Sequence, residues 1–349
     1  MDTVNVPGGE RPPIVIKHRS STLPVAVVAL AVIALLGIVL IVGGFVLLAL
    51  TMPKSIPERG LETEFAAGDA EASDRAALIR VEGVILEEGY GPFRRGRDPV
   101  SAVRKRLKRA ARDKVKALIV EVNSPGGGIT ASDLIYRAIV DFKKEHPGVP
   151  VVVQMKDLAA SGGYYISAPA DWIVAMPTSL TASIGVLLVH HDMQGLLDGK
   201  LGIKTHALVS GSHKDILSPY RPMTEAERTH LEAIIGEMFD RFVQVVTEGR
   251  RGKIAAEDVR ALQGTVLSGR QALEKGLVDQ LGSLDDAVAK AAELAKVKSL
   301  RVIRYDDPRG LLESLLSARL ADRIAVGPIF DLDSYLGRGG SPVLYLWQL

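Results

Sequence analysis

The sequence predicts an α/β domain with a mostly parallel sheet covered by helices, preceded by a single transmembrane helix. Residues 115–122 and 149–155 are nearly continuous apolar runs of strand length, the pattern of strands buried on both faces. Helical stripes stand between such runs, so strand and helix alternate along the chain and right-handed crossovers follow. Upstream, residues 23–50 carry no charged side chain and are dominated by Val, Leu, Ile and Ala.

Taken in order, residues 1–22 read as a short cytoplasmic segment. The 23–50 run exceeds the roughly 20 apolar residues needed to cross the hydrocarbon layer. Thr51-Met52-Pro53 is a poor cleavage site, which favours a retained anchor over a removed signal peptide. Arg11, Lys17 and Arg19 precede the run while Lys54 and Arg59 follow it, a slight bias toward a cytoplasmic N-terminus. The expected location is therefore the inner (cytoplasmic) membrane, single-pass, with the folded domain on the extracytoplasmic side. Residues 51–75, rich in Glu, Asp, Gly and Ala, read as a linker, and the folded domain is expected over 76–305.

Within that domain, residues 78–85 alternate like a half-buried strand. Asp98-Pro99 supplies a cap and first turn for a helix to about Asp113. A second helix over 130–144 carries Leu134, Ile135, Ala138, Ile139 and Phe142 on one stripe. Further strands are expected at 172–175, 186–189 and 205–209. The pattern Thr224-Glu225-Ala226-Glu227 opens a long helix to about Thr247. Turn signals at Ser268-Gly269 and Lys275-Gly276 follow, then a helix started by Gly282-Ser283-Leu284-Asp285-Asp286 and running through Lys296, and a late strand over 300–305. Residues 306–349 form a C-terminal extension with an amphipathic segment at 309–324. Its apolar end, 342–347, suits either an added strand or an extended peptide in a groove.

Composition narrows the function. The formal net charge is +2 with basic and acidic residues interleaved, which speaks against a nucleic-acid partner. The basic run Arg104–Arg109 suits a solvated helix face. The chain has no cysteine, so disulfides, thiolate catalysis and Cys-based zinc sites are excluded. His190-His191-Asp192 is the one compact cluster of metal-ligating types, and its adjacent residues would point to opposite faces of a strand. Gly126-Gly127-Gly128 lacks the Lys-Ser/Thr of a nucleotide loop. No cofactor and no metal are expected.

Two segments carry chemistry. Asn123-Ser124-Pro125-Gly126-Gly127-Gly128 and Ala159-Ala160-Ser161-Gly162-Gly163-Tyr164 each follow an expected buried strand. A glycine triplet lets backbone N–H groups face a developing negative charge, and a serine hemmed by Ala and Gly is open to attack a carbonyl. Such a serine needs a base. No Gly-x-Ser-x-Gly elbow surrounds Ser161, so a Ser-His-Asp triad lacks its local signature. Lys214, in Ser210-Gly211-Ser212-His213-Lys214-Asp215, competes with seven histidines for the role, and spacing alone does not select it.

These motifs, with Thr181-Ala182-Ser183-Ile184-Gly185 and Ser210-Gly211 before Lys214-Asp215, resemble the membrane-bound signal peptide peptidase A family over roughly 78–281. The single copy of the domain resembles the short bacterial form. The resemblance implies a Clp protease/crotonase-like fold of repeated ββα/βαβ units and a serine endopeptidase with a Ser/Lys dyad. It implies Ser161 as nucleophile, Lys214 as general base and Ser183 as the serine that orients the lysine. Gly126 or Gly127, together with Gly162, would donate backbone N–H groups to the oxyanion. It further implies a ring-shaped homo-oligomer in which neighbouring subunits complete the dyad, acting on remnant signal peptides and held to membrane lipid by the N-terminal helix. Two other classes remain: a crotonase-like acyl-CoA enzyme, and a non-catalytic membrane-tethered scaffold.

Overall fold

The computed structural model describes residues 29–30, 32–40, 43–44, 61–87, 98–307 and 343–346. The chain divides into two units, Met1–Arg59 and Gly60–Leu349. In the first, the described residues are helical. Among the described residues no helix is long and apolar enough to cross a membrane. The expected 23–50 span falls partly outside them, as do residues 1–22 and the amphipathic segment 309–324.

The second unit is built on a nine-stranded sheet. Its strands are β1 (Glu62–Gly68), β2 (Arg75–Glu82), β3 (Ala117–Ser124), β5 (Val151–Ala160), β6 (Trp172–Ala175), β7 (Leu180–Ala182), β9 (Val266–Ser268), β10 (Gln280–Leu281) and β11 (Arg301–Asp306). The order is β1-β11-β2-β3-β5-β6-β10, with β7 pairing β5 and β9. All pairings are parallel except β1 with β11 and β7 with β9. A second sheet joins β4 (Gly126–Gly128), β12 (Val343–Leu346) and β8 (Leu187–Leu188) in the order β4-β12-β8.

The helices are α1 (Pro99–Arg112), α2 (Ile129–Glu145), α3 (Gly162–Ser167), α4 (Gln194–Gly199), α5 (Glu225–Gly249), α6 (Ala256–Ala261), α7 (Gly269–Glu274) and α8 (Leu284–Ala295). Asp98 caps α1 by accepting from Val100 N at 2.9 Å, with Pro99 in its first turn. Thr224 and Glu227 close a capping box on α5.

The apolar runs are continuous because both faces of the sheet are covered. Ala77, Ile79, Leu118, Val120, Val151 and Val153 pack with residues of α1, α2, α3 and α5 in the larger core. Their alternates Ala76, Leu78, Ala117, Ile119, Val152 and Val174 meet Ala287, Val288, Ala291 and Ala292 of α8. A buried ion pair ties the end of α5 to the sheet. The Arg250 guanidinium donates twice to Asp279 at 2.7 Å, and Asp279 also accepts from Ile173 N at 2.8 Å. Burial raises the Asp279 pKa, but the bonds from Arg250 and Lys253 outweigh it and hold the carboxyl below the usual aspartate value.

Three expectations need correction. The segment read as a linker, 51–75, contains β1, which pairs antiparallel with β11. Its acidic composition hid the strand because five of its seven residues lie exposed at the sheet edge. Residues 205–209 are not a strand. They are exposed, Leu208 completely so, and among the described residues no strand pairs with them. Finally, the expected strand at 186–189 shrinks to Leu187–Leu188, and its partner is β12.

Candidate active site

The two glycine-bearing loops leave the carboxyl ends of adjacent parallel strands, so β3 and β5 bring them together. β5 carries extra residues near that end, and the register shifts between Val122 and Ser124. Asn123 bridges the irregularity by accepting from Leu158 N at 3.2 Å. Ser124 holds the next turn: its hydroxyl donates to Gly83 O at 2.6 Å and accepts from Gly126 N at 3.1 Å.

Beyond Pro125 the triplet becomes β4. Ile85 N donates to Gly126 O at 2.8 Å, and Gly128 N donates to Ile85 O at 2.8 Å. Polar groups alternate along a strand, so the N–H and C=O of Gly127 face the opposite side, toward β12. Gly126 has φ +99°, and a Cβ on Gly127 would stand 2.0 Å from Ile85 O. Both positions therefore require glycine.

Ser161 stands at the junction of β5 and α3 with φ 54° and ψ −117°, outside the regions open to ordinary L-residues. Such strain, on the order of 1–3 kcal/mol, persists only where the surroundings impose it. Here they do. Ser161 N donates to Ala182 O at 2.8 Å, β7 runs parallel to the end of β5, and Ser161 is 1% exposed. A Cβ on Gly162 would meet Ser132 Oγ at 2.6 Å, Gly126 Cα at 3.0 Å and Gly127 N at 3.2 Å. The backbone following the serine thus lies against the glycine strand with no room for a side chain.

Ser183 follows directly on the residue that binds Ser161. Ala182 and Ser183 both take positive φ, 62° and 51°, and Ser183 N donates to Thr265 O at 3.0 Å. Ser183 is 7% exposed. Gly126, Gly127, Ser161, Gly162 and Ser183 are therefore gathered at one end of the sheet.

Lys214 is elsewhere. It lies exposed on a turn over 211–218, where its own N–H donates to Gly211 O at 3.0 Å. Among the described residues no hydrogen bond joins Lys214 to Ser161 or Ser183. Residues of the same stretch, Met193, Leu196, Leu201, Ile203, Leu208 and Val209, expose large apolar side chains.

The strand β12 pairs with the glycine strand. Leu346, Tyr345 and Leu344 stand opposite Gly126, Gly127 and Gly128, and Leu344 and Val343 stand opposite Leu187 and Leu188. Both pairings are antiparallel, so an extended segment of this chain lies between the glycine strand and β8.

Tyr164 and Tyr165, just after the serine, are core residues. The Tyr164 hydroxyl donates to Leu277 O at 2.8 Å and the Tyr165 hydroxyl to Asp133 at 2.7 Å. Burial pushes the Tyr164 hydroxyl pKa above its ordinary value. Sequence reasoning missed Arg221, whose guanidinium joins Asp215 to Glu227 near Lys214. The bonds from Arg221 hold both carboxyls below their usual range. Only the capping pattern at Thr224–Glu227 hinted at it.

The model of peptidase family S49 matches residues 143–298, a stretch that holds Ser161, Ser183 and Lys214. A Methanocaldococcus jannaschii protein, provisionally named a protease, is 37% identical over 235 residues, covering 67% of this chain and 70% of its own. An Enterococcus faecium protein, provisionally named signal peptide peptidase SppA, is 36% identical over 263 residues, covering 74% of this chain and 75% of its own. Protease 4 of Salmonella typhi is 35% identical over 250 residues, covering 71% of this chain and 39% of its own.

Proposed function

The chain belongs to peptidase family S49 and is a serine peptidase of the signal peptide peptidase A type, and from that premise we propose that Ser161 is its nucleophile and Lys214 its general base. The observation that carries this reading is the extended segment paired with the glycine strand that lies against Gly162. An extended segment, β12, lies along the glycine strand and β8, which is how a substrate backbone would lie. An acyl-CoA site would not call for a strand-pairing groove.

Ser161 Oγ attacks the scissile carbonyl carbon while Lys214 Nζ, as the free amine, accepts the hydroxyl proton. The oxyanion of the tetrahedral intermediate accepts hydrogen bonds from the backbone N–H groups of Gly127 and Gly162. Gly127 suits the role better than Gly126, because the Gly126 N–H already donates to Ser124 Oγ. Collapse breaks the C–N bond as Lys214 returns the proton to the leaving amine, leaving an acyl ester on Ser161. Lys214 then takes a proton from water, the hydroxide attacks the ester, and Ser161 regains its proton as the acid leaves. Ser183, buried beside the nucleophile, orients the lysine amine.

Lys214 is exposed within one chain, and the 193–209 stretch beside it bares apolar side chains. Both features suit a ring-shaped homo-oligomer in which a neighbouring subunit completes the dyad and dries its surroundings. The fold is of the Clp protease/crotonase kind. The serine peptidase domain follows an N-terminal membrane anchor over 23–50, and its substrates are remnant signal peptides and other membrane-associated peptides. The test is hydrolysis of a signal-peptide analogue by the full-length protein. Ser161→Ala and Lys214→Ala are each expected to lose activity, and wild-type rates in either variant would refute the assignment.

A further inference from the structure

Arg221 makes a two-ended clamp. Its Nε and Nη2 donate to the two oxygens of Asp215, each at 2.8 Å. Its Nη1 and Nη2 donate to the two oxygens of Glu227 at 2.9 and 2.5 Å. The Glu227 end is an anchor: its side chain is 3% exposed, and it also accepts from Thr224 N at 2.9 Å and Thr224 Oγ1 at 3.0 Å, locking it to the first turn of α5. The Asp215 end is the residue next to Lys214, on a turn that is exposed up to Lys214 and partly buried from Asp215 on.

We infer that Arg221 is a positioning residue for the lysine base: it fastens the turn that carries Lys214 to the capped start of α5, and it keeps the Asp215 carboxylate engaged away from the lysine. The inference rests on the Ser161/Lys214 reading. Lysine reaches its target on a flexible four-carbon stem, so the position of its Cα must come from the turn beneath it. Misplacing a catalytic group by about 1 Å costs on the order of a hundredfold in rate. The second effect is electrostatic. A carboxylate released beside an amine favours the ammonium form, which is the inactive form of this base. The other charged or titratable groups on the turn and the first turns of α5 are His213, Tyr220, Glu225, Arg228 and His230, with Arg228 paired to Glu225 at 3.7 Å and the His213 and His230 rings 6.3 Å apart. None of them forks two carboxylates as Arg221 does. A lysine in its place would offer a point charge instead of a planar fork.

The experiment follows peptide hydrolysis by the full-length assembled protein across neutral to alkaline pH, with the rate of Ser161 labelling by a fluorophosphonate as a second readout. Arg221→Gln is expected to lower kcat about tenfold to a hundredfold at nearly unchanged KM. It is also expected to move the acidic limb of the pH–rate profile upward. Arg221→Lys should recover only part of the loss. Asp215→Asn, which opens the clamp from its more exposed end, should lower kcat without moving the limb, and it decides the matter if Arg221→Gln does not fold. Added to Lys214→Ala, Arg221→Gln should slow labelling no further, because groups acting as a unit are not additive. An unchanged kcat and limb in both Arg221→Gln and Asp215→Asn, or a further loss on the Lys214→Ala background, would overturn the inference. Full activity of Lys214→Ala would instead overturn the dyad reading, and with it the role of Arg221.

Discussion

Ser161 and Lys214 occupy opposite kinds of surroundings. The serine is 1% exposed, bent into a strained conformation by β7 behind it and by glycine backbone in front. The lysine stands in the open, on a turn joined to the start of α5 through the Asp215–Arg221–Glu227 clamp. On the proposed reading, the nucleophile is finished within a single chain and the base is completed by a neighbouring one. A protease built this way would keep a fully formed nucleophile inert until the base arrives, and assembly is then the natural control on activity.

The largest expected effect tests that division of labour. Ser161→Ala and Lys214→Ala chains, each inactive alone by about 10⁴-fold or more, are expected to regain a measurable fraction of wild-type turnover when co-assembled. Co-assembled particles with no activity would place both residues in the same subunit. Next in size is Gly127→Ala. The added methyl would meet Ile85 O at 2.0 Å and displace the strand that faces the peptide, so kcat is expected to fall about a hundredfold or more. Normal turnover in this variant would remove Gly127 from the oxyanion site.

Tyr345→Pro sharpens the comparison at the glycine strand. Proline has no N–H to donate across to Gly127, so β12 is expected to leave that strand and KM for a peptide substrate to fall several-fold. An unchanged KM would mean that the strand does not compete with substrate. The smallest effect concerns acid. The Glu227 carboxyl, held below its ordinary value of 4.5 chiefly by Arg221, stabilises the fold fully above that value. That contribution is lost as pH falls through the depressed folded value. The gap in thermal stability between wild type and Glu227→Gln should therefore be widest above about pH 4.5 and narrow on acidification. A gap that widened in acid would have the wrong sign for this clamp.

The comparison also explains which parts were legible in the sequence. β3, β5 and β6 could be read because burial on two faces leaves a continuous apolar run. The starts of α1 and α5 could be read because their caps are local, at Asp98 and Thr224. Ser161 and the glycine triplet stood out for the same reason: their chemistry is written in neighbouring residues. The remainder depends on partners distant in sequence. Glycine has no preference for strands, so β4 exists only through Ile85 on one side and residues 343–346 on the other. β1 is a strand because β11 comes to it, and 205–209 is not one because no described strand does. Arg221 carries no local mark either, since its role arises only when the turn folds back on α5.

The most direct measurement is active-site labelling of the full-length assembled protein by a fluorophosphonate, mapped by peptide mass spectrometry in wild type and in Lys214→Ala. A single adduct on Ser161 that forms in wild type and forms about a hundredfold or more slowly without the lysine amine is the expected result. An adduct on another residue, or equal labelling of Ser161 in both proteins, would contradict it.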